Sequence, residues 1–118
     1  MKKVLLVEDD KGVRNVYKEA LRLERFEVLE AEDGEQASLV MLQHPLIDFI
    51  LIDIDIPIVP GEAVYDMVRL ARPKSSVIVF SALPIEEQKR LIRNAEGYFD
   101  KSEGTDALVA KMRRLPVK

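Results

Sequence analysis

Five carboxylates and two other reactive groups follow apolar segments of this 118-residue chain. The carboxylates are Glu8, Asp9, Asp10, Asp53 and Asp55. Ser81 and Lys101 follow two further apolar segments. Carboxylates held close together repel one another by about 4 kcal/mol per pair at an effective dielectric near 20, so they must protonate, separate or share a cation. Oxygen donors without histidine or cysteine suit a hard divalent ion, Mg²⁺ or Mn²⁺.

If these segments meet, Asp53 would lie beside the cationic and hydrogen-bonding groups that a phosphoryl-accepting carboxylate needs. A metal ion and the ammonium group of Lys101 would supply positive charge, and the Ser81 hydroxyl can donate to a phosphoryl oxygen. An aspartate in these surroundings is placed as a nucleophile that forms an acyl phosphate.

Short apolar runs alternate with stretches of helical period, which predicts alternating strands and helices. Strands are predicted at 4–7, 26–31, 49–52, 77–80 and 97–99. Helices are predicted at 13–21, 37–44, 63–71, 86–94 and 108–115, the last one capped by Thr105 or Asp106. The apolar face of the first helix consists of Val13, Val16, Tyr17, Ala20 and Leu21. Five alternating pairs imply parallel strands with right-handed crossovers, hence one α/β domain over residues 1–118. Ligands bind at the carboxyl ends of such strands, where the carboxylates would meet.

Composition excludes several classes of protein. Lys plus Arg is 18 and Asp plus Glu is 21, a net charge of −3, which argues against nucleic-acid binding. The absence of cysteine excludes thiol catalysis, Cys-based zinc sites and disulfides. No apolar run approaches the roughly 18 residues needed to span a bilayer, and no signal peptide is evident, so we expect a cytoplasmic protein.

Taken together, the motifs resemble the receiver domain of two-component response regulators, of the chemotaxis-regulator type. The segments that carry the resemblance are 7–10, 51–53 with Pro57 and Gly61, 80–82 and 97–101. The resemblance implies a flavodoxin-like, doubly wound, five-stranded parallel sheet of order 2-1-3-4-5. It also implies five helices that complete a three-layer α/β/α sandwich.

The resemblance also implies a phosphoacceptor and a metal site. Asp53 would accept a phosphoryl group from a histidine kinase or a histidine phosphotransfer protein, with Mg²⁺ or Mn²⁺ bound. Asp9 would bind the metal directly, and Glu8 would act beside it through a bound water. The second oxygen of Asp53 and the backbone carbonyl of Asp55 would complete the protein ligands.

Switching and lifetime residues are implied in the same way. Lys101 would pair with Asp53 or its phosphate, and Ser81 would move toward that phosphate. Tyr98 would then turn inward and change the face of helix four, strand five and helix five. Asp55 and Leu83 flank the path of the attacking water in relatives and would tune dephosphorylation.

The implied function is that of a phosphorylation-controlled binding module, not an enzyme beyond self-phosphorylation and autodephosphorylation. A downstream protein or an attached effector domain would read the switched face, which could also form a homodimer. Ser102 stands where the family usually has proline, so we expect a trans peptide bond after Lys101.

Other interpretations remain open for the same residues. Asp53 and Asp55 also fit the Asp-x-Asp motif of a haloacid-dehalogenase-type phosphatase, and a pseudo-receiver would dock partners without phosphorylation. Asp9 and Asp10 could cap helix one. His44 reads as a helix-end residue, and a solvated helix face is formed by Lys111, Arg113, Arg114 and Lys118.

Overall fold

The computed structural model describes residues 1–55 and 61–115. The motif residue Pro57 and the basic residue Lys118 lie outside these ranges. In chain order the elements are β1 Lys3–Val7, α1 Lys11–Leu23, β2 Glu27–Ala31, α2 Gly34–Gln43, β3 Phe49–Asp53, α3 Gly61–Ala71, β4 Ser76–Ser81, α4 Ile85–Leu91, β5 Gly97–Asp100, a short 3-10 helix Lys101–Glu103, and α5 Thr105–Arg114. Within the two described ranges, no helix is both long and apolar enough to cross a bilayer.

The strands form one parallel sheet in the order β2-β1-β3-β4-β5. This order and the five helices confirm the predicted flavodoxin-like α/β/α fold. In the register, Val7 lies opposite Ile52, Asp53 opposite Phe80, and Ser81 opposite Asp100. The residues at the carboxyl ends of β1, β3, β4 and β5 therefore meet at one edge of the sheet.

Apolar side chains of the central strands pack on both faces of the sheet. Leu5 and Val7 of β1 belong to one core layer, and Val4 and Leu6 belong to the other, because successive strand residues point to opposite faces. The helical partners are Ala37, Met41, Val64 and Val68 on the first face, and Tyr17, Leu21, Leu108 and Met112 on the second. Fully burying one such side chain stabilises the fold by about 1.5–3 kcal/mol. The edge that bears the polar groups is thus built on a rigid scaffold.

Gly61 begins α3 in close contact with the residue that follows Asp53. A Cβ atom at position 61 would lie 2.4 Å from the Cα of Ile54, well inside the van der Waals limit. A side chain at position 61 would therefore push α3 away from the end of β3.

The predicted end of the fourth helix was wrong. The sequence predicted a helix over 86–94, whereas α4 ends at Leu91. Ile92 takes an extended conformation, with φ −130° and ψ 114°, and Asn94 has a positive φ of 67°. The extended backbone at Ile92 places its side chain in the core, where it is buried.

Two smaller expectations were also wrong. Neither Thr105 nor Asp106 caps α5, because the helix begins at Thr105 after Gly104, which has φ 87° and provides no side-chain cap. Val16, predicted on the buried face of α1, is 60% exposed. The prediction for His44 was confirmed, because it is the C-cap residue of α2.

Candidate functional site

Four strands bring polar side chains to one edge of the sheet. Glu8 directly follows β1, and Asp53 is the last residue of β3. Ser81 is the last residue of β4, and Lys101 directly follows β5. Asp55 lies two residues past the end of β3. Groups that are up to 93 residues apart in sequence therefore become neighbours, as the contact between Lys101 and Glu8 shows.

Three carboxylates form a compact cluster at this edge. Glu8, Asp9 and Asp53 each offer one oxygen, and these oxygens all lie within 4.8 Å of one another. Glu8 is 1% exposed and Asp53 is 2% exposed, while Asp9 faces solvent. Oxygen-only donors with one open side fit Mg²⁺, which takes one or two carboxylates and keeps several waters.

Lys101 bridges the two buried carboxylates. Its Nζ atom lies 2.7 Å from Glu8 Oε1 and 2.8 Å from Asp53 Oδ2. The same atom lies 5.1 Å from the ring centroid of Phe80, a cation–π distance. Burial alone would lower the pKa of Lys101, but the hydrogen bonds to Asp53 and Glu8 outweigh it and raise that pKa. Lys101 is therefore a fixed positive charge beside Asp53.

The pKa of Glu8 is raised as well, which for a carboxyl group favours the neutral form. Burial, reinforced by the neighbouring Asp53 carboxylate, raises the pKa of Glu8 to about 7, although Lys101 opposes the rise. Glu8 therefore exchanges a proton near neutral pH in the metal-free protein. A divalent cation on the cluster would favour its deprotonated form.

Each oxygen of Asp53 has its own donor. The backbone N–H of Asp55 donates to Oδ1 at 2.9 Å, and Lys101 donates to Oδ2 at 2.8 Å. The carboxylate is thus oriented before any reaction, which lowers the entropic part of a barrier.

Ser81, the last residue of β4, is fully buried. Its hydroxyl donates to Asp55 Oδ2 at 2.8 Å and accepts from the backbone N–H of Leu83 at 3.0 Å. The side chain of Asp55 is therefore bonded to Ser81, while its backbone N–H is bonded to Asp53.

The two residues of the Asp9-Asp10 pair have different surroundings. Asp10 is the N-cap of α1, where its Oδ1 accepts from the backbone N–H of Val13 at 2.9 Å. Asp9 belongs to the carboxylate cluster. The capping interpretation is correct for Asp10, whereas Asp9 lies with Glu8 and Asp53.

Tyr98 is half-buried on β5, with its hydroxyl bonded to the segment between α4 and β5. The hydroxyl donates to Ile92 O at 2.6 Å and accepts from Ala95 N–H at 3.2 Å. Lys111 was predicted to be solvated, but it is half-buried, donates to the carbonyl of Tyr98 and lies over the Phe99 ring. Arg113 and Arg114 are exposed, as predicted.

The segment after Lys101 turns without proline. Asp100 Oδ1 accepts from the backbone N–H of Ser102 at 2.9 Å, at the start of the 3-10 helix. No cis peptide bond occurs in the described residues, so the bond after Lys101 is trans, as expected. Proline at position 102 would lack the N–H group that this hydrogen bond uses.

Two residues of the site were missed by the sequence reasoning. Arg14 donates to the carbonyl of Glu8 at 2.8 Å and to Glu30 Oε1 at 3.1 Å, which fixes the chain where it enters the cluster. Gln88 of α4 is fully buried and donates to backbone carbonyls on two segments. No apolar pattern marked this residue, because a glutamine in a helix is usually exposed.

Comparison with known proteins agrees with this geometry. A family model described as "Response regulator receiver domain" matches residues 4–113. The transcriptional regulatory protein CpxR of Escherichia coli K12 is 33% identical over 117 residues, which are 98% of this chain and 49% of CpxR. The cell cycle response regulator CtrA of Brucella ovis is 29% identical over 115 residues, or 96% and 49% of the two chains. The chain thus spans about half the length of these curated relatives.

Solved structures share the fold. The response regulator TrrA of Thermotoga maritima, crystallised in complex with Mg(2+)-BeF, superposes with a TM-score of 0.87 at 28% identity, covering 98% of this chain and 100% of that one. Chemotaxis protein CheY4 of Vibrio cholerae superposes with a TM-score of 0.90 at 23% identity, covering 98% and 99%, which shows the fold alone.

Proposed function

The chain belongs to the response regulator receiver domain family of two-component systems, and on that premise we propose that Asp53 accepts a phosphoryl group from a histidine kinase or a histidine phosphotransfer protein. The observation that carries the proposal is the setting of Asp53. Its carboxylate is buried, is held by Lys101 and the Asp55 N–H, and belongs to the same cluster as Glu8 and Asp9.

The same residues would hold Mg²⁺, or Mn²⁺ in its place. Asp9 and Asp53 would be direct ligands, the backbone carbonyl of Asp55 would be a third, and Glu8 would act through a bound water. When bound, the ion supplies charge neutralisation and orientation for the phosphoryl oxygens. The fit rests on the three carboxylate oxygens within 4.8 Å and on the exposed side chain of Asp9.

In the transfer step, an oxygen of Asp53 attacks the phosphorus atom of the donor. A new O–P bond forms, and the N–P bond of a phosphohistidine or the O–P bond of an acyl phosphate breaks. The electron pair stays with the donor, and a histidine donor takes up a proton. In a separate hydrolysis step, water attacks the phosphorus and gives up a proton to solvent. The O–P bond to Asp53 breaks, the carboxylate leaves with the electron pair, and inorganic phosphate is released. Asp55 and Leu83 would tune that hydrolysis.

Ser81, Lys101 and Tyr98 would convert the phosphoryl group into a change of surface. Lys101 is already charged beside Asp53 and would bind the phosphoryl oxygens. Ser81 would exchange its bond to Asp55 for one to the phosphoryl group. Tyr98 would turn inward and alter the face formed by α4, β5 and α5. A local change of charge thereby biases a two-state element.

Residues 1–118 would form one receiver domain that acts in the cytoplasm. Its partners would be the kinase or phosphotransfer protein and either a downstream protein or an attached effector domain. The switched face could also mediate homodimerisation. The receiver itself would contact neither nucleic acid nor membrane, and its own chemistry would be self-phosphorylation and autodephosphorylation.

The test is intact-mass measurement after incubation with Mg²⁺ and acetyl phosphate, with an EDTA control. We expect one phosphoryl group per chain in Mg²⁺ and none in EDTA. Rapid hydrolysis could remove the adduct before the mass is measured. Beryllium fluoride, which mimics the phosphoryl group and is not hydrolysed, is therefore tested as well. No adduct together with no beryllium fluoride response would favour the pseudo-receiver. Turnover of a small phosphomonoester would favour the phosphatase.

A further inference from the structure

The helix α4 is attached to the sheet in an unusual way. Among its seven residues Ile85–Leu91, all of them described, Gln88 alone is buried. Ile85 is half-buried and Leu91 is 47% exposed. The other four α-helices among the described residues bury only apolar residues, tyrosine and glycine included, and apolar burial has no preferred direction. The one buried side chain of α4 is an amide, whose hydrogen bonds are directional.

The Gln88 amide joins two segments of the site. Its Nε2 donates to Leu83 O at 2.8 Å and to Phe99 O at 2.9 Å. Leu83 lies two residues after Ser81, and Phe99 lies two residues before Lys101. Because both partners are carbonyl oxygens, the NH₂ end of the amide must face them, which fixes its orientation.

The other end of the amide has no partner. Within the described residues, Gln88 Oε1 is buried and accepts no hydrogen bond. A buried acceptor left unpaired destabilises the arrangement that contains it. Two directional hydrogen bonds therefore stabilise this position of α4, and one unpaired oxygen destabilises it. A shift of the carbonyl of Leu83 or Phe99 would change the relative stability of this position.

We infer that Gln88 is the positioning residue that couples the Ser81 segment and the Lys101 strand to α4. The inference rests on the proposed phosphoryl switch, because it describes how that site would move the helix. A displacement of Leu83 or Phe99 would break or re-form the bonds of the amide. The position of α4 would then depend on the Leu83 and Phe99 carbonyls rather than on packing against the apolar core.

The first test needs no phosphoryl chemistry. In Gln88→Met, which keeps the side-chain size but loses both donors, we expect amide hydrogen exchange in α4 to rise by about tenfold or more relative to β1 and β3. Ser75→Ala is the matched control, since it removes another buried hydrogen bond, to Ile47 O, at the opposite end of β4. Exchange in α4 within about twofold of wild type would overturn the inference.

The second test separates coupling from mere support of the helix. In the wild type, beryllium fluoride with Mg²⁺ should shift the amide resonances of the Ser81–Leu83 segment and of α4 together. In Gln88→Met, the Ser81–Leu83 resonances should shift as far as in the wild type. The α4 resonances should shift by less than about half of their wild-type change. Equal shifts of both sets in the variant would refute the coupling. A wild type that does not respond at Ser81 would refute the proposed function instead, and the exchange measurement would still decide the role of Gln88.

Discussion

The Ser81 hydroxyl donates a 2.8 Å hydrogen bond to the carboxylate of Asp55, 26 residues away in sequence. The β3–β4 register creates this pair, because it sets Asp53 opposite Phe80 and so places Ser81 beside the residues that follow β3. A phosphoryl group on Asp53 would need the same hydroxyl. Asp55 and a phosphoryl group on Asp53 would therefore be two anions that compete for one donor.

The competition predicts a longer-lived adduct in Asp55→Ala. Removing the carboxylate frees Ser81 for the phosphoryl group, and we expect the adduct to decay up to about tenfold more slowly, the equivalent of one hydrogen bond of about 1.4 kcal/mol. Intact mass against time after donor removal gives the rate. The substitution should have little effect in a Ser81→Ala background. An equal effect there would show that Asp55 acts independently of Ser81.

Mg²⁺ should stabilise the wild-type protein through the carboxylate cluster. At a free Mg²⁺ concentration of 100 times Kd, the free energy of unfolding should rise by about 2.7 kcal/mol, and the gain should shrink in Asp9→Ala. Thermal unfolding with and without Mg²⁺ measures it. Asp10→Ala is the matched control: loss of the α1 cap should cost about 1 kcal/mol in both conditions and leave the Mg²⁺ increment unchanged. Equal increments in Asp9→Ala and the wild type would contradict the metal assignment.

Lys101→Met should destabilise the metal-free protein more than the Mg²⁺-bound protein. The substitution leaves Glu8 and Asp53 buried without their shared cation. Breaking a buried ion pair costs about 3–5 kcal/mol, and the partial exposure of Lys101 places the loss toward the lower end. Denaturant unfolding in EDTA and in Mg²⁺ checks this. An equal loss of unfolding free energy in EDTA and in Mg²⁺ would show that Mg²⁺ does not neutralise the carboxylates that Lys101 pairs with.

Glu8 should make the metal-free protein less stable as the pH rises. Its pKa is about 7 in the folded protein against an ordinary 4.5, so the folded state binds the proton more tightly. The contribution of Glu8 to stability is full below pH 4.5 and is lost as the pH rises through 7. In EDTA, the difference in unfolding free energy between wild type and Glu8→Gln should therefore change across this window. A pH-independent difference would contradict the assignment.

The fold was largely predictable because its signals are local. Continuous apolar runs indicate strands covered on both faces, and helical stripes such as Tyr17 and Leu21 indicate the faces that pack on them. The end of α4 was not predictable, because Asn94 takes a left-handed conformation and Ile92 leaves the helix for the core. These features depend on tertiary packing rather than on propensity.

The candidate site was predictable as a set of residues but not as a network. The rule that parallel strands present ligands at their carboxyl ends was enough to group Asp53, Ser81 and Lys101. The bond between Ser81 and Asp55 depends on strand register, which apolar runs alone do not specify. Gln88 was missed because a glutamine in a helix is usually exposed, and its burial becomes evident only once α4 is placed against β5.

The acceptor residue is identified by the intact mass of wild type, Asp53→Asn and Asp55→Asn after incubation with Mg²⁺ and acetyl phosphate. We expect one phosphoryl group on the wild type and on Asp55→Asn, and none on Asp53→Asn. Labelling of Asp53→Asn to the wild-type level would show that another residue is the acceptor and would contradict the central claim.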